Sequence, residues 1–408
     1  MKSPLSLASA MPGLWLCAFR PFFLLTASHA LFAMSWWLGA LSGLLTMPTV
    51  PGGPVVWHAH ELLFGFAGAS LAGFLLTAII EFTGAPPISR KTVQTLLILW
   101  FGGRLAYALS GLIGVIPAAL CDLGFLLLLI AQIARPLWRD PSRRHLAFFH
   151  ALSSLTLVHA GFYLALFFER DAMPWLRLAS GLLMILIIVA LSRISMRLVN
   201  DVLEAQGGIA APYLARPPRR NLAIFCIATY SLSEYFLPAN PVTGWLALAA
   251  AAGIFNLLND WHVGRALFQR WVMIPYLVYW AMALGYATIG LGLLIGNNLN
   301  SAGHHLLLVG ALALSILIVM AVAGRMHSGY GLDHRRWLPV TATLLLIAAL
   351  LRAAASLPAF ATAGLGLLHG AATFWLLAWG IYLVYSWKVL AGPRPDHGRG
   401  CSEPVKPD

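Results

Sequence analysis

The chain has 408 residues, of which 60% are hydrophobic and only 10% charged, and a formal net charge of +12. Soluble domains carry roughly 25% charged residues, so composition excludes a soluble enzyme or binding domain of useful size and indicates an integral membrane protein. The positive charge is concentrated in short breaks between apolar runs, where it reports membrane orientation and requires no nucleic-acid partner.

The first residues, "MKSPLSLASAMPGLWLCAFRPFF", show no clean cleavage signature and lead into a full-length span with Arg20 on its inner flank. This segment is expected to be retained. Apolar runs of about 20 residues, enough to cross a hydrocarbon core of about 30 Å, then recur to the end of the chain. They predict an all-α, polytopic integral membrane bundle of about twelve transmembrane helices. The spans fall near 21–45, 57–81, 92–113, 115–134, 146–168, 174–196, 221–238, 244–260, 271–295, 304–325, 337–357 and 363–387. The expected organisation is a short cytoplasmic N-terminal segment (1–19), a single transmembrane domain (20–390) and a cytoplasmic C-terminal tail (391–408).

Charge in the breaks tests this count. Alternate loops carry Arg90 and Lys91; Arg135, Arg139, Arg143 and Arg144; Arg216, Arg219 and Arg220; Arg265 and Arg270; and Arg335 and Arg336. Intervening loops such as "MPTVPGGPVV", "PANPVTG" and "GNNLNSAG" have no Lys or Arg. This positive-inside pattern puts both termini in the cytoplasm. Cys17, Cys121, Cys226 and Cys401 form no CxxC or CxxCH, which leaves a covalent c-type haem and a zinc ribbon without support.

On this topology most intramembrane polar residues fall in the outer half. His58, His60 and Glu61 head the second span, within "VVWHAHELLFGFAGASLAGFLLTA". Arg104, Asp122, His159, Glu234, Arg352 and His369 lie in the outer halves of later spans, and His304 and His305 cap the tenth. Ionisable groups in spans are costly unless they face a bundle interior, water or a partner, so each is a functional candidate. Plainer readings stand beside this. Arg104 and Asp122 can form a structural ion pair, and His159 and His369 can simply bond a neighbouring helix. His145, His262 and His334 read as solvated or interface residues, and His29 has no assignment.

On a regular helix His58 and His60 point about 200° apart, so they serve different partners unless the first turn is irregular. Glu61 can support a ligand or carry protons. The small residues Gly65, Gly68, Ala69, Ala72 and Gly73 suit close helix packing, with a flat cofactor face as the alternative.

The stretch "WHAHELLFGFAGASLAGFLLTAIIEFTG" resembles the signature of the NnrS family, an HxHE motif followed by LFGF and a GFLLTA run ending near a TG. "FRPFFLL", "GHHLLLVGA" and "GPRPDHGRG" resemble further family elements in the same order, from about Phe19 to about Gly400. The resemblance implies a multi-pass protein of the bacterial inner membrane, associated with haem and copper and with nitric oxide metabolism or protection during denitrification. It selects His58, His60 and Glu61 from the first motif and His305 from a later one. In one place the chain departs: where the family has an Arg followed by a HTGR-like element, "AGRMHSGYGLDHRR" offers Arg325 and His327 with no Arg directly after.

The expectation is therefore a haem/copper protein that binds or processes nitric oxide, protecting against nitrosative stress or supporting denitrification. Metal ligands are expected at His58, His60 and His305. Arg104, Arg352 and His369 are the cofactor-binding candidates, the arginines for haem propionates. Glu61, Asp122, Arg325 and His327 are supporting residues. Partners are the lipid bilayer, nitric oxide or another small neutral ligand, and a redox partner docking on short loops if the chemistry is reduction. Whether haem and copper share one centre stays open. The alternative is a transporter of a metal, metallophore or small solute, which would purify colourless; a pure scaffold leaves the HxHE motif idle.

Overall fold

The computed structural model describes residues 12–206, 212–297, 299–398 and 400–401. Residues 1–11 of the expected N-terminal segment and 402–408 of the expected tail thus lie outside the described residues. Among those described there is no strand, and twelve helices of 18 residues or more: α1 (Phe19–Leu41), α2 (Gly53–Thr83), α3 (Arg90–Ala108), α4 (Ile116–Arg139), α5 (Leu146–Phe167), α6 (Met173–Ala205), α7 (Pro217–Phe236), α8 (Pro241–Leu258), α9 (Arg270–Ile295), α10 (Asn300–Met326), α11 (Trp337–Ala354) and α12 (Gly364–Ala391). Ten are long and apolar enough to cross a membrane. The other two, α3 and α7, are helical where spans are expected but diluted by Arg90, Lys91 and Arg104 in one and Arg219, Arg220 and Glu234 in the other.

Helix is what a bilayer demands, because lipid offers no partner for backbone N–H and C=O groups. Local chemistry sets the ends. Proline begins α2, α4, α7 and α8, where its missing N–H is one of the orphans anyway. Ser89 caps α3 by accepting the Thr92 N–H at 3.1 Å, and Asn240 caps α8 through the Val242 N–H at 2.9 Å. Gly84 (φ 66°) and Gly296 (φ 72°) end α2 and α9 in the left-handed conformation that side chains disfavour.

The chain forms two compact units. The first holds residues up to Ala172, Val319–Trp337 and the chain from Trp379 onward. Within it α1 packs on α2, α2 on α4, α3 on α4 and α4 on α5. The second holds Met173–Ile318 and Leu338–Ala378, with α6 to α9 packed in succession and α9 against the start of α10.

Arg20, expected as a topological flank, is fully buried in the first unit. Its guanidinium donates to the carbonyls of Gly13 (2.8 Å) and Gly392 (2.7 Å), and a Cys17–Cys401 disulfide joins the same two chain segments. Between α10 and α11, the Asp333 carboxylate accepts from Arg335 Nε (2.9 Å) and Nη2 (2.6 Å) and from Trp337 Nε1 (2.8 Å). These bonds, Arg335 first, hold its carboxyl well below the usual carboxylate range. A depressed folded-state value stabilises the fold above the unfolded pKa of about 3.9 and ceases to do so as pH falls through the folded value. Asp333→Asn should therefore lower the melting temperature at pH 6, and the gap to wild type should shrink steadily between pH 4 and pH 2.5; a gap independent of pH would contradict this.

Candidate metal centre

The HxHE segment is a regular α-helix from Gly53 to His60, after which Glu61–Phe66 widens into a π-helical turn. Regularity through His60 sends the two imidazoles apart. His58 stacks on Trp37 of α1, ring centroids 4.3 Å apart. His60 turns into the unit and meets His159 of α5, with Nε2 to Nε2 at 3.0 Å. The π-helical turn, a feature common at functional sites, leaves the Gly65 carbonyl to accept from Trp100 Nε1 at 3.0 Å.

Asp122 of α4 completes the group. Its Oδ2 lies 3.5 Å from His60 Nε2 and 3.7 Å from His159 Nε2, and all three side chains are buried. Among the described residues this is the one group of three potential ligands gathered this closely. The spacing fits a bound metal ion. Bonds of about 2.0–2.1 Å in a tetrahedral arrangement place ligand atoms about 3.3–3.4 Å apart, within the observed 3.0 to 3.7 Å. His60, Arg104, Asp122 and His159 each sit four to eight residues from one end of their helices, roughly 6–12 Å along the axis. Antiparallel succession brings those four ends to the same side, which is why residues so far apart in sequence share a depth.

Around the three lies a supporting layer. His60 Nδ1 donates to Glu61 Oε1 at 3.3 Å, which leaves the Nε2 lone pair facing His159 and Asp122. A carboxylate behind an imidazole is the usual device for fixing the tautomer of a metal-binding histidine. Glu61 is held in turn by Arg104 Nη1 (3.2 Å) and His29 Nε2 (3.2 Å). The other side of the Arg104 guanidinium reaches Asp122 Oδ2 at 2.5 Å, and the Tyr163 hydroxyl donates to the same oxygen at 2.5 Å. His159 Nδ1 has no hydrogen-bond partner among the described residues, and its ring is set by stacking on Phe64, centroids 3.5 Å apart.

Charge gives an independent argument. Glu61 and Asp122 contribute two negative charges and Arg104 one positive, so with neutral imidazoles the buried cluster is one negative charge in excess. An uncompensated charge in an apolar interior is expensive, and a cation between the imidazoles and Asp122 removes the cost. A haem does not fit here. Phe162 stacks on His60 at 4.8 Å and Tyr107 packs edge-on at 4.5 Å, while the two Nε2 atoms face one another across 3.0 Å with a carboxylate beside them. A macrocycle between two axial imidazoles would need that space.

Of the other sequence candidates, Arg325 and His327 lie elsewhere in this unit. Arg325 pairs with Asp333 at 3.4 Å, and His327 meets Glu81 at 3.3 Å and the Cys401 carbonyl at 2.9 Å. Glu81 is 21 residues beyond His60 on α2, roughly 30 Å along the helix, so His327 belongs to the opposite end. The second unit gathers a separate polar group. His304 Nε2 lies 3.4 Å from Glu234, His305 Nδ1 donates to the Ser301 carbonyl at 2.7 Å, and Arg352 reaches the Ser301 hydroxyl at 3.2 Å. There too a histidine pair precedes a π-helical segment, Leu306–Leu312. His369 sits on α12 in the same unit, its carbonyl accepting from Thr373. Of the small residues after Glu61, Gly73 packs on Phe22 and Phe23 and Gly65 on His29, which is helix packing.

From sequence alone His29 has no assignment, His159 is more readily a packing residue, and Tyr163 does not stand out. The available signal was that histidines inside apolar spans need a partner.

No curated protein matches the chain in sequence. A family profile described as NnrS protein matches residues 13–394, spanning α1 to α12 and including every residue of the buried cluster. The chain therefore belongs to the NnrS family.

Proposed function

We propose that the His60, His159 and Asp122 cluster is a copper-type metal centre, and that the protein uses it to bind or process nitric oxide in the bacterial inner membrane. The observation that carries the proposal is the spacing of the three buried ligand atoms, 3.0 to 3.7 Å, in a group with an excess negative charge. Copper bound there supplies an electron-exchanging centre with affinity for a small neutral ligand. The chain's own residues do the rest. Glu61 orients His60, Arg104 fixes both carboxylates, and the Tyr163 hydroxyl at Asp122 Oδ2 is the nearest neutral proton donor. Nitric oxide, small and uncharged, reaches such a site through lipid. The cellular role that follows is protection from nitrosative stress or support of denitrification.

The membrane arrangement is twelve spans, α3 and α7 included, with both termini cytoplasmic and the cluster toward the periplasmic side. Haem, which the resemblance implies, would be held outside this cluster, with His58 the candidate within the first unit and His305, His369 and Arg352 a separate set of candidates within the second. A transport reading draws on the π-helical interruptions of α2 and α10, one in each unit.

Elemental analysis and visible spectra of detergent-purified protein decide between them. Wild type from copper- and haem-replete cells should carry copper, and His60→Ala and His159→Ala should each lower it about tenfold or more. Glu61→Gln should weaken copper with a smaller loss. Full copper in both histidine variants would remove the centre from this site, and a colourless, metal-free wild type would favour transport.

A further inference from the structure

At the far end of α2 from His60, a cleft of about 640 Å³ opens between α2, the loop to α3, and α4. Its size is that of a ligand site. Ile80 and Phe82 of α2, Pro86 and Pro87 of the loop and Ala131 of α4 form an apolar floor at the ends of two spans, with Leu75, Ile79 and Ile133 buried beneath it. Arg135 and Arg139 stand at its mouth, one helical turn apart on α4 and exposed. Neither has an ion pair or hydrogen bond to a described residue. Two like charges at this spacing on one helix face repel unless an anion lies between them. Asp140 does not supply it, since its carboxylate accepts from the Ser142 N–H (3.0 Å) and hydroxyl (2.7 Å).

We propose that this cleft binds one anionic phospholipid, its phosphate held by Arg135 and Arg139 and an acyl chain laid along the apolar floor. The commitment to a lipid follows from geometry. The floor lies on membrane-spanning helices near their ends, so the mouth sits at headgroup depth, and only an amphiphile satisfies both the charged rim and the apolar base. Arginine suits the phosphate because its planar fork pairs with two oxygens, and basic pockets at the ends of spans favour anionic headgroups.

Native mass spectrometry of the delipidated full-length protein tests this, titrated separately with phosphatidylglycerol, phosphatidylcholine and inorganic phosphate. One phosphatidylglycerol should be retained about tenfold more tightly than phosphatidylcholine, and inorganic phosphate in large excess should not displace it. The double variant R135Q/R139Q should lose that preference, and Ile80→Phe, which narrows the floor and leaves the charges intact, should weaken phosphatidylglycerol as well. Equal retention of the two lipids would mean a nonspecific annulus and would overturn the proposal. So would displacement by inorganic phosphate, which would make this a bare anion site, or indifference to either substitution. If R135Q/R139Q does not fold, Ile80→Phe alone decides.

Discussion

Replacing Arg104 with methionine is expected to destabilise the protein by about 3–5 kcal/mol, the cost of removing one partner from a buried ion pair. The guanidinium lies between Glu61 (3.2 Å) and Asp122 (2.5 Å), so its loss strands two buried carboxylates at once. Arg104→Lys should recover only part of the loss, because an ammonium is a point charge and cannot present two donors in a fixed fork. The double variant Arg104→Met, Asp122→Leu should be more stable than Arg104→Met alone, since one stranded carboxylate is then removed along with the charge it needed. Thermal unfolding of wild type and these three variants in the same detergent measures the differences. A single Arg104→Met within about 0.5 kcal/mol of wild type, the range of an ordinary surface change, would show that the pair does not hold the cluster together.

Alanine at Gly103 should be the most damaging of the glycine substitutions in the first unit's polar site. An added Cβ would overlap the Asp122 carboxylate oxygen, pushing the side chain off Arg104 and away from both histidines. Overpacking of this kind costs about 1–3 kcal/mol, and copper should be lost with it. The neighbouring positions provide the contrast. At Gly102 the added carbon would meet the Cys121 sulfur at 3.1 Å, a tight contact to a side chain outside the cluster, and at Gly68 it would meet nothing within 4 Å. Gly68→Ala is therefore expected to be neutral or slightly stabilising, and Gly102→Ala to be milder than Gly103→Ala. Similar copper content in Gly103→Ala and Gly68→Ala would argue that Asp122 does not need its present position to serve the centre.

Much of the architecture was legible because it rests on local quantities. Hydropathy over about 20 residues places a span whatever it packs against, so the predicted and observed helices agree in position along the chain, with α3 and α7 weakest because charged residues dilute them. The Arg104–Asp122 pair was legible for a similar reason. Consecutive antiparallel spans place residues at like distances from the connecting loop at like depth, and here those residues bond at 2.5 Å.

The cluster itself was only half legible. Glu61 could be read as the support of an HxHE imidazole, and its carboxylate lies 3.3 Å from His60 Nδ1. Which imidazole it supports depended on whether the first turn of α2 was regular, and composition does not decide that. His327 shows the converse. Its motif neighbourhood tied it to the family's chemistry, yet its place at the opposite end of α2 from His60 gives it Glu81 and the Cys401 carbonyl instead.

The amino-acid sequence by itself determined that this is a helical membrane protein, where its long helices run, and which buried polar residues could not be left facing lipid. Only the tertiary structure decided that His60 meets His159, 99 residues away, with Asp122 beside them and His29 behind Glu61. The physical reason is that helix formation and membrane insertion respond to neighbours along the chain. Contact between helices depends on which spans pair and how each is rotated, and in α2 that rotation changes at a single π-helical turn from Glu61 to Phe66.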